Sequence, residues 1–300
     1  MTARAPSALL LPLAVATLGI ATFSAMDAVM KGLAIGLGVY NALLWRWLAG
    51  AAIGGAIFFA RRGARPSRAA MRLHLERGIL GTAMAFLFFW GLARVPLAQG
   101  VALSFVAPLI ALYLAALILK ERIERRAILA SLLGFAGVVV ILFGRSSAAP
   151  GPEAMWGAVA ILASALLYAY NIILMRKQAL VAGPVEIGFF MQLIPFCCYA
   201  LAAPLLAVPP DLGWSPWLVG AALLSLVSLF CLSWAYARAE AQYLAPVEYT
   251  AFVWALALGW LAFGEAVGPL TLVGAGMIVA ACLIAARRRP PPVANVEAAL

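Results

Sequence analysis

Charged residues are scarce in this chain. Of its 300 residues only 11% are Asp, Glu, Lys or Arg, while 66% are hydrophobic and the mean hydropathy is +1.04. A soluble domain carries about 25% charged residues, so this chain could not cover a surface that faces water. The composition therefore excludes a secreted disulfide scaffold, a disordered protein and a nucleic-acid-binding domain. It predicts an integral membrane protein.

Residues that bind metals or act as nucleophiles are also few. The four cysteines lie in apolar runs without metal-ligand spacing, and we interpret them as small buried residues. His74 is the only histidine of the chain. It follows an arginine-rich stretch, and we expect it to lie in a loop. No HExxH, GxSxG or GxxxxGK[ST] string occurs. We therefore expect no metal, no cofactor, no enzymatic activity and no ATP drive.

Ten apolar runs are long enough to cross a bilayer, which takes about 20 residues. The first run follows Arg4 and is similar to a signal peptide, but it continues to Lys31, so we expect it to be retained. The predicted spans are 9–31, 38–60, 76–93, 97–118, 127–144, 154–176, 184–207, 216–237, 242–263 and 268–286.

The basic residues are distributed unevenly between the two sides of these spans. The two termini and the loops after the even-numbered spans 2 to 8 hold 17 of the 21 Lys and Arg residues, and the opposite side holds 3. Positive charge accumulates on the cytoplasmic side of membrane proteins. Both termini are therefore predicted to be cytoplasmic, and the net charge of +10 sets the topology rather than forming a binding patch.

An internal repeat appears when the chain is shifted by 144 residues. The shift superposes WGLAR at 90–94 on WAYAR at 234–238, and Glu121 on Glu265. Each repeat then holds five spans, and because five is odd the second copy must be inverted. Glu121 lies in the basic stretch KERIERR, whereas Glu265 lies in GEAVGP, which has no Lys or Arg.

The predicted fold is therefore an all-α integral membrane protein, with ten transmembrane helices in two five-helix repeats of inverted topology. The repeats are 9–144 and 154–286, and 287–300 forms a cytoplasmic tail. Inverted repeats are typical of secondary transporters, whose site lies near the midplane between the repeats. A channel or a structural membrane protein is the alternative.

Three segments resemble a known family. They are LSFVAPLIALYLAALILKERI at 103–123, APVEYTAFVWALALGWLAFGEAV at 245–267, and AMDAVMKGL at 25–33, followed by an arginine in span 2. Over nearly its whole length the chain resembles the EamA-type members of the drug/metabolite transporter superfamily. The resemblance implies transport in a bacterial inner membrane. It leaves the substrate open, because members resemble amino-acid exporters, riboflavin importers and S-adenosylmethionine carriers.

Ionisable residues inside the spans are the first candidates for function. Asp27 and Lys31 lie one helical turn apart, with Lys31 at the outer end where it can reach the headgroups. Asp27 either pairs with Lys31 or lines the cavity and binds an ammonium group or a proton, which we favour. Arg46 lies at a similar depth, and we expect it to bridge Asp27 or backbone carbonyls rather than to contact substrate.

Glu248 is a lone carboxylate just after Pro246, where the proline loosens the helix. Glu248 either binds a proton or forms hydrogen bonds with polar neighbours. Tyr249 and Thr250 would line the same part of the cavity. Glu186 and Glu240, near span ends, are expected to be solvated.

Aromatic residues follow one face of two related spans. Phe86 and Trp90 in span 3 correspond to Phe230 and Trp234 in span 8. They pack between helices or stack on a substrate. In span 6, Tyr168 and Asn171 correspond to Ser24 and Asp27. The predicted substrate-binding residues are Asp27, Phe86, Trp90, Ser104, Tyr168, Asn171, Phe230, Trp234, Glu248, Tyr249 and Thr250, and the structural or coupling residues are Lys31, Arg46 and Pro108.

The sequence thus predicts a secondary transporter that moves small organic metabolites, amino acids first, by alternating access. Its cavity would be lined by spans 1, 3, 4, 6, 8 and 9, and Gly-rich stretches at 49–56 and 273–277 would let helices pack closely. A riboflavin- or S-adenosylmethionine-like solute is the alternative, and a channel or a membrane enzyme is a remote one. The expected partners are a small-molecule substrate and the bilayer, with no nucleic acid and with a homodimer left open.

Overall fold

A computed structural model describes residues 7–61, 65–107, 109–110, 113–114, 125–144, 152–179, 181–236, 247 and 250–286. These residues form helices and no strand. Ten α-helices begin and end within the described ranges. They are α1 (Ser7–Leu37), α2 (Val39–Ala60), α3 (Arg68–Leu92), α4 (Leu97–Ser104), α5 (Arg125–Gly144), α6 (Pro152–Ala179), α7 (Pro184–Leu206), α8 (Ser215–Tyr236), α9 (Thr250–Phe263) and α10 (Pro269–Ala286). Six of them, α1 to α3 and α6 to α8, are long and apolar enough to cross a membrane.

Helix α3 begins earlier than the hydropathy of the chain indicates. The predicted span starts at residue 76, whereas the helix starts at Arg68. Ser67 caps this end, because its side-chain oxygen accepts a hydrogen bond from the Ala70 amide at 3.1 Å. The prediction that His74 lies in a loop is therefore wrong: it lies within α3 and is fully buried.

Helices α1 and α4 also differ from their predicted spans. Helix α1 continues to Leu37, so Lys31 lies inside the helix and not at its end. Helix α4 ends at Ser104, inside the predicted span 97–118, and residues 107, 109, 110, 113 and 114 of that span are again helical. The sequence has a proline at position 108, which lacks the N–H that the Ser104 carbonyl would accept in a continuous helix. Pro108 itself lies outside the described residues.

The main helix contacts join the first five helices to the last five. The most extensive contacts are α5 with α10, α1 with α8, α3 with α6, and α2 with α7. If each helix is replaced by its counterpart in the other set of five, α1 becomes α6 and α3 becomes α8. The α1–α8 pair then becomes the α6–α3 pair, and the other two pairs are unchanged. Glycines bring α5 and α10 close, because a Cβ on Gly137 would lie 2.7 Å from the Gly274 carbonyl oxygen. Most of the core therefore lies between the two halves of the chain.

Helices α1 and α6 run in opposite directions. Near the end of α1, Lys31 contacts Val95, and the adjacent Arg94 lies 4.0 Å from Glu153 at the start of α6. The last turns of α6 lie instead beside the start of α3. From His74 to Val95 the rise along the helix is about 30 Å. We call the two regions the Lys31 end (Lys31, Val95, Leu97 and Glu265) and the His74 end (His74, Arg77, Asn171, Gln178 and Glu186).

Candidate functional site

Asp27 on α1 and Arg46 on α2 are buried charges of opposite sign. Each side chain belongs to a residue that is only 4% exposed. Met26 and Ala28, on either side of Asp27, belong to an apolar cluster to which α1, α2, α3, α4, α7, α8 and α9 all contribute. Burial of a charge is costly unless a partner compensates it, so the partners of these two groups decide what the site can do.

The two charges lie near each other without direct contact. Asp27 and Arg46 are within electrostatic range of one another, but among the described residues no ion pair joins them within 4.0 Å. Asp27 Oδ1 and Arg46 Nε have no hydrogen-bond partner among the residues that the structure describes. The guanidinium lies over the Trp47 ring, 4.1 Å from its centroid. The expected direct Asp27–Arg46 bridge is therefore not formed, and the alternative, that Arg46 binds backbone carbonyls, stays a prediction.

Tyr199 lies near Arg46, and Tyr40 packs against Tyr199. The Tyr40 hydroxyl donates to the Tyr199 carbonyl oxygen at 2.6 Å, and their rings meet edge to face with centroids 5.6 Å apart. Tyr199, on α7, is within electrostatic range of Arg46, and its hydroxyl donates to the Thr82 carbonyl oxygen at 3.1 Å. Sequence reasoning assigned no lining role to spans 2 and 7, although Arg46 already marked span 2.

Lys31 is buried and does not pair with Asp27. The alternative of an Asp27–Lys31 pair and the expectation that Lys31 reaches the headgroups are therefore wrong. Its ammonium forms a buried ion pair with Glu265 and donates to the Val95 carbonyl oxygen at 2.6 Å. The other oxygen of Glu265 accepts from the Leu97 amide at 2.7 Å. These contacts join α1, the α3–α4 junction and the segment after α9. The sequence marked Glu265 only as a sign of the repeat.

His74 binds two other helices at the opposite end of the molecule. Its Nε2 lies 2.8 Å from Glu186 Oε1 on α7, and its Nδ1 lies 2.6 Å from Gln178 Nε2 on α6. The imidazole also stacks on Phe190, with ring centroids 4.7 Å apart. The expectation that Glu186 is solvated is wrong, because its side chain is 19% exposed and pairs with His74.

Arg77, one turn after His74, completes this polar cluster. Its Nε donates to Asn171 Oδ1 at 3.0 Å, and its Nη1 donates to Gln178 Oε1. Asn171 is buried, as its correspondence with Asp27 indicated. Its partner, however, is Arg77.

The aromatic residues predicted to bind substrate differ in their burial. The Trp90 ring carries the Arg94 guanidinium, 3.7 Å from the ring centroid, and packs against the apolar cluster that includes Met26. By contrast, Phe86, Tyr168 and Phe230 are between 37% and 39% exposed. Their role in substrate binding stays a prediction.

The remaining candidates bond within their own segments or pack in the core. Ser104 donates to the Gly100 carbonyl oxygen at 3.1 Å, and Thr250 donates to the Val247 carbonyl oxygen at 2.6 Å. Trp234 packs on a small apolar cluster around α1 and α8. Glu248 and Tyr249 lie outside the described residues, as does Glu121. In the part of the chain that is described, no group of three His, Cys, Asp or Glu residues could hold a metal ion.

A helical fold with several membrane-crossing helices and a buried, incompletely paired set of charges defines a multi-pass membrane protein with a polar centre. The chain belongs to the EamA-like transporter family, whose family model matches it twice, at residues 10–143 and 155–287. The resemblance drawn from the sequence segments is therefore confirmed.

Relatives of the chain include several named transporters. It is 27% identical to the pseudopaline exporter CntI of Pseudomonas aeruginosa (strain UCBPP-PA14), with 89% of this chain and 93% of the relative covered. It is 29% identical to a riboflavin transporter of Rhizobium johnstonii, with 88% and 87% covered. A solved crystal structure shares the fold, with a TM-score of 0.62, 22% identity and coverage of 94% of this chain and 99% of the other.

Proposed function

We propose that the chain is a secondary transporter for a small metabolite that carries both an ammonium and a carboxylate group, amino acids first. The observation that carries this proposal is the pair of buried opposite charges, Asp27 and Arg46, of which Asp27 Oδ1 and Arg46 Nε have no hydrogen-bond partner among the described residues. A substrate ammonium would bind Asp27, and its carboxylate would accept from the Arg46 guanidinium. Such charge-assisted hydrogen bonds are about twice as strong as neutral ones.

The second candidate substrate is a flat, vitamin-like solute such as riboflavin. A riboflavin transporter is among the relatives of the chain, and the aromatic rings of Trp47 and Tyr199 lie near Arg46. Such rings could stack on a flavin. The relative that exports pseudopaline shows that the family also includes exporters, so either direction of transport is compatible with this fold.

Alternating access between two inverted repeats is the proposed mechanism. It is supported by the opposite directions of α1 and α6, and by helix contacts that keep their pattern when the halves are exchanged. We assign the repeats to 9–144 and 154–286, with both termini and the tail 287–300 on the cytoplasmic side of the bacterial inner membrane. Rocking of the halves would expose the charged pair first on one side and then on the other.

The topology is tested by labelling single cysteines in a chain whose native cysteines have been replaced. Glu153 is exposed near the Lys31 end and Lys177 is exposed near the His74 end. We expect an impermeant maleimide to label Glu153→Cys from the periplasm and Lys177→Cys only from the cytoplasm. Labelling of both from one side would contradict the proposed crossing of α6 from the periplasmic to the cytoplasmic side.

The function is tested by flux in proteoliposomes that contain the purified protein and a radiolabelled amino-acid mixture, with and without a pH gradient. We expect saturable flux that falls at least about tenfold in Asp27→Asn and in Arg46→Gln, because each loses a charge-assisted bond. The matched controls are Asp211→Asn and Arg72→Gln, which alter exposed charges. Wild-type flux in Asp27→Asn at every pH would return Asp27 to a structural role, and flux of riboflavin alone would favour the second substrate.

A further inference from the structure

We propose that the His74 end is a proton site: His74 binds one proton, and the bound proton breaks a hydrogen bond that joins α3 to α6. The link from this proton to transport rests on the proposed function. The proton site itself does not, because it follows from the geometry of the four side chains of His74, Arg77, Gln178 and Glu186.

Arg77 fixes the orientation of the Gln178 amide. A guanidinium has donors and no acceptor, so the amide atom that faces Arg77 Nη1 must be the oxygen. The amide nitrogen then faces His74 Nδ1, at 2.6 Å. Because this nitrogen is a donor, Nδ1 must accept the hydrogen bond and carry no proton.

Glu186 fixes the other side of the imidazole ring. Its Oε1 lies 2.8 Å from His74 Nε2, and a carboxylate only accepts. The proton of the neutral ring is therefore on Nε2. His74 is held in a single tautomer, between a carboxylate on α7 and an amide donor on α6.

A second proton on the ring conflicts with this arrangement. An N–H at Nδ1 would point at the N–H of Gln178 in a buried site. Turning the amide would relieve that conflict but would place its nitrogen against Arg77, which is also a donor. In either orientation one hydrogen bond between α3 and α6 is lost, and an unpaired buried donor is costly.

Other groups around the ring set how readily the proton binds. Glu186 on α7 favours the charged ring, and Arg77 on α3 opposes it. Helix α6 presents the uncharged Asn171 and Gln178, with the Tyr168 phenol within electrostatic range of Arg77. The nearby carboxylate of Glu76 accepts from the Tyr170 hydroxyl at 2.8 Å, and α7 adds the Phe190 ring.

The position of the site gives the proton a mechanical consequence. Helix α3 lies in the first family match, whereas α6 and α7 lie in the second. A proton on His74 therefore removes one hydrogen bond between α3 and α6 and strengthens the contact of the ring with Glu186 on α7, so that the contacts between the two halves change at one end only. Histidine suits this role because it changes charge near neutral pH.

The experiment uses the fact that His74 is the only histidine of the chain. The full-length protein, labelled with 15N-imidazole histidine and purified on a tag without histidine, is placed in nanodiscs and titrated by NMR. At alkaline pH we expect one set of signals, with a protonated Nε2 and a bare Nδ1. The Nδ1–H tautomer, or an average of both tautomers, would overturn the proposal.

Two variants should move the titration in opposite directions. Glu186→Gln removes the facing carboxylate, so we expect the midpoint of the histidine signals to fall by about one pH unit or more. Gln178→Glu supplies an acceptor for both Arg77 and a protonated Nδ1, so we expect the midpoint to rise by about one unit. The control, Glu153→Gln, lies at the other end and should leave the midpoint unchanged. Unmoved midpoints in both variants would overturn the proposal.

Hydrogen exchange measures the loosening directly. Between pH 8 and pH 6, after correction for the intrinsic rate, we expect peptides from the start of α3 and the end of α6 to exchange about tenfold faster. The Gln178→Glu variant should remove this difference, and peptides near Lys31 should not show it. A wild-type protein whose α3 and α6 peptides do not respond to pH would contradict the proposal. These readouts need no substrate, so they can fail or succeed independently of the transport assay.

Discussion

The Lys31 end and the His74 end both close the molecule with buried polar contacts between its halves, but the chemistry of the two differs. At the Lys31 end an ammonium and a carboxylate meet, with the Val95 carbonyl and the Leu97 amide as further partners. At the His74 end, amide groups hold a guanidinium and an imidazole. In the mechanism that we propose, opening of the first end separates two charges, whereas one proton on His74 removes a hydrogen bond at the second.

Because the two ends contain different groups, they could open in response to different events. An ion pair in apolar surroundings is expensive to break unless another charge replaces one partner. In the proposed function, a substrate that brings its own charges to Asp27, one turn from Lys31, supplies such a replacement. The His74 end needs no substrate, only a change in proton concentration.

The largest effect should follow from breaking the Lys31 end. In Glu265→Gln the Leu97 amide keeps an acceptor, but Lys31 becomes an unpaired buried charge. We expect the free energy of unfolding, measured by SDS titration in detergent micelles, to fall by about 3–5 kcal/mol. The double variant Lys31→Met, Glu265→Gln should lose less than the single one, since it leaves no unpaired charge. A loss in the double variant equal to the sum of the two single losses would contradict the buried pair.

A smaller effect is expected from Arg77→Met at the His74 end. The change removes the donor to Asn171 and to Gln178, so two buried acceptors lose their partner, and we expect a loss of about 2 kcal/mol. It should also release the Gln178 amide, so that both tautomers of His74 appear by NMR. The control is Arg72→Met, an exposed arginine on the same helix. A single unchanged tautomer in Arg77→Met would show that Arg77 does not orient the amide.

The smallest effect concerns an exposed pair at the Lys31 end. Glu153 is 82% exposed on its side chain and lies 4.0 Å from Arg94. Because solvent screens such a pair, Glu153→Gln should change the free energy of unfolding by less than about 0.5 kcal/mol. A loss close to that of Glu265→Gln would show that burial does not distinguish the two pairs.

The sequence predicts the helices well because hydropathy reports directly on the bilayer. Span 2, predicted at 38–60, is the helix Val39–Ala60, and span 7, predicted at 184–207, is Pro184–Leu206. It places the start of α3 too late, since the helix continues into polar sequence through its cap at Ser67. Hydropathy cannot detect an extension that backbone hydrogen bonds and a capping residue stabilise.

The partners of the charged residues were harder to predict than their burial. Asp27 and Arg46 were identified because a charge in an apolar run is conspicuous. The pairing of Lys31 with Glu265 joins positions that are 234 residues apart, and helical periodicity on one span gives no information about another. The sequence predicts that His74 lies in a loop, although an isolated histidine next to an apolar run is also compatible with a buried helix end.

The close pairing of helices from opposite halves also bears on how the chain is made. Helices α1, α2, α3 and α5 find their principal neighbours in α8, α7, α6 and α10. The ribosome therefore delivers the first five helices to the membrane before any of these neighbours exists. During that interval Lys31 has not yet met Glu265, and Arg77 has not yet met Asn171 and Gln178, so both side chains stay without these partners until the second half is inserted.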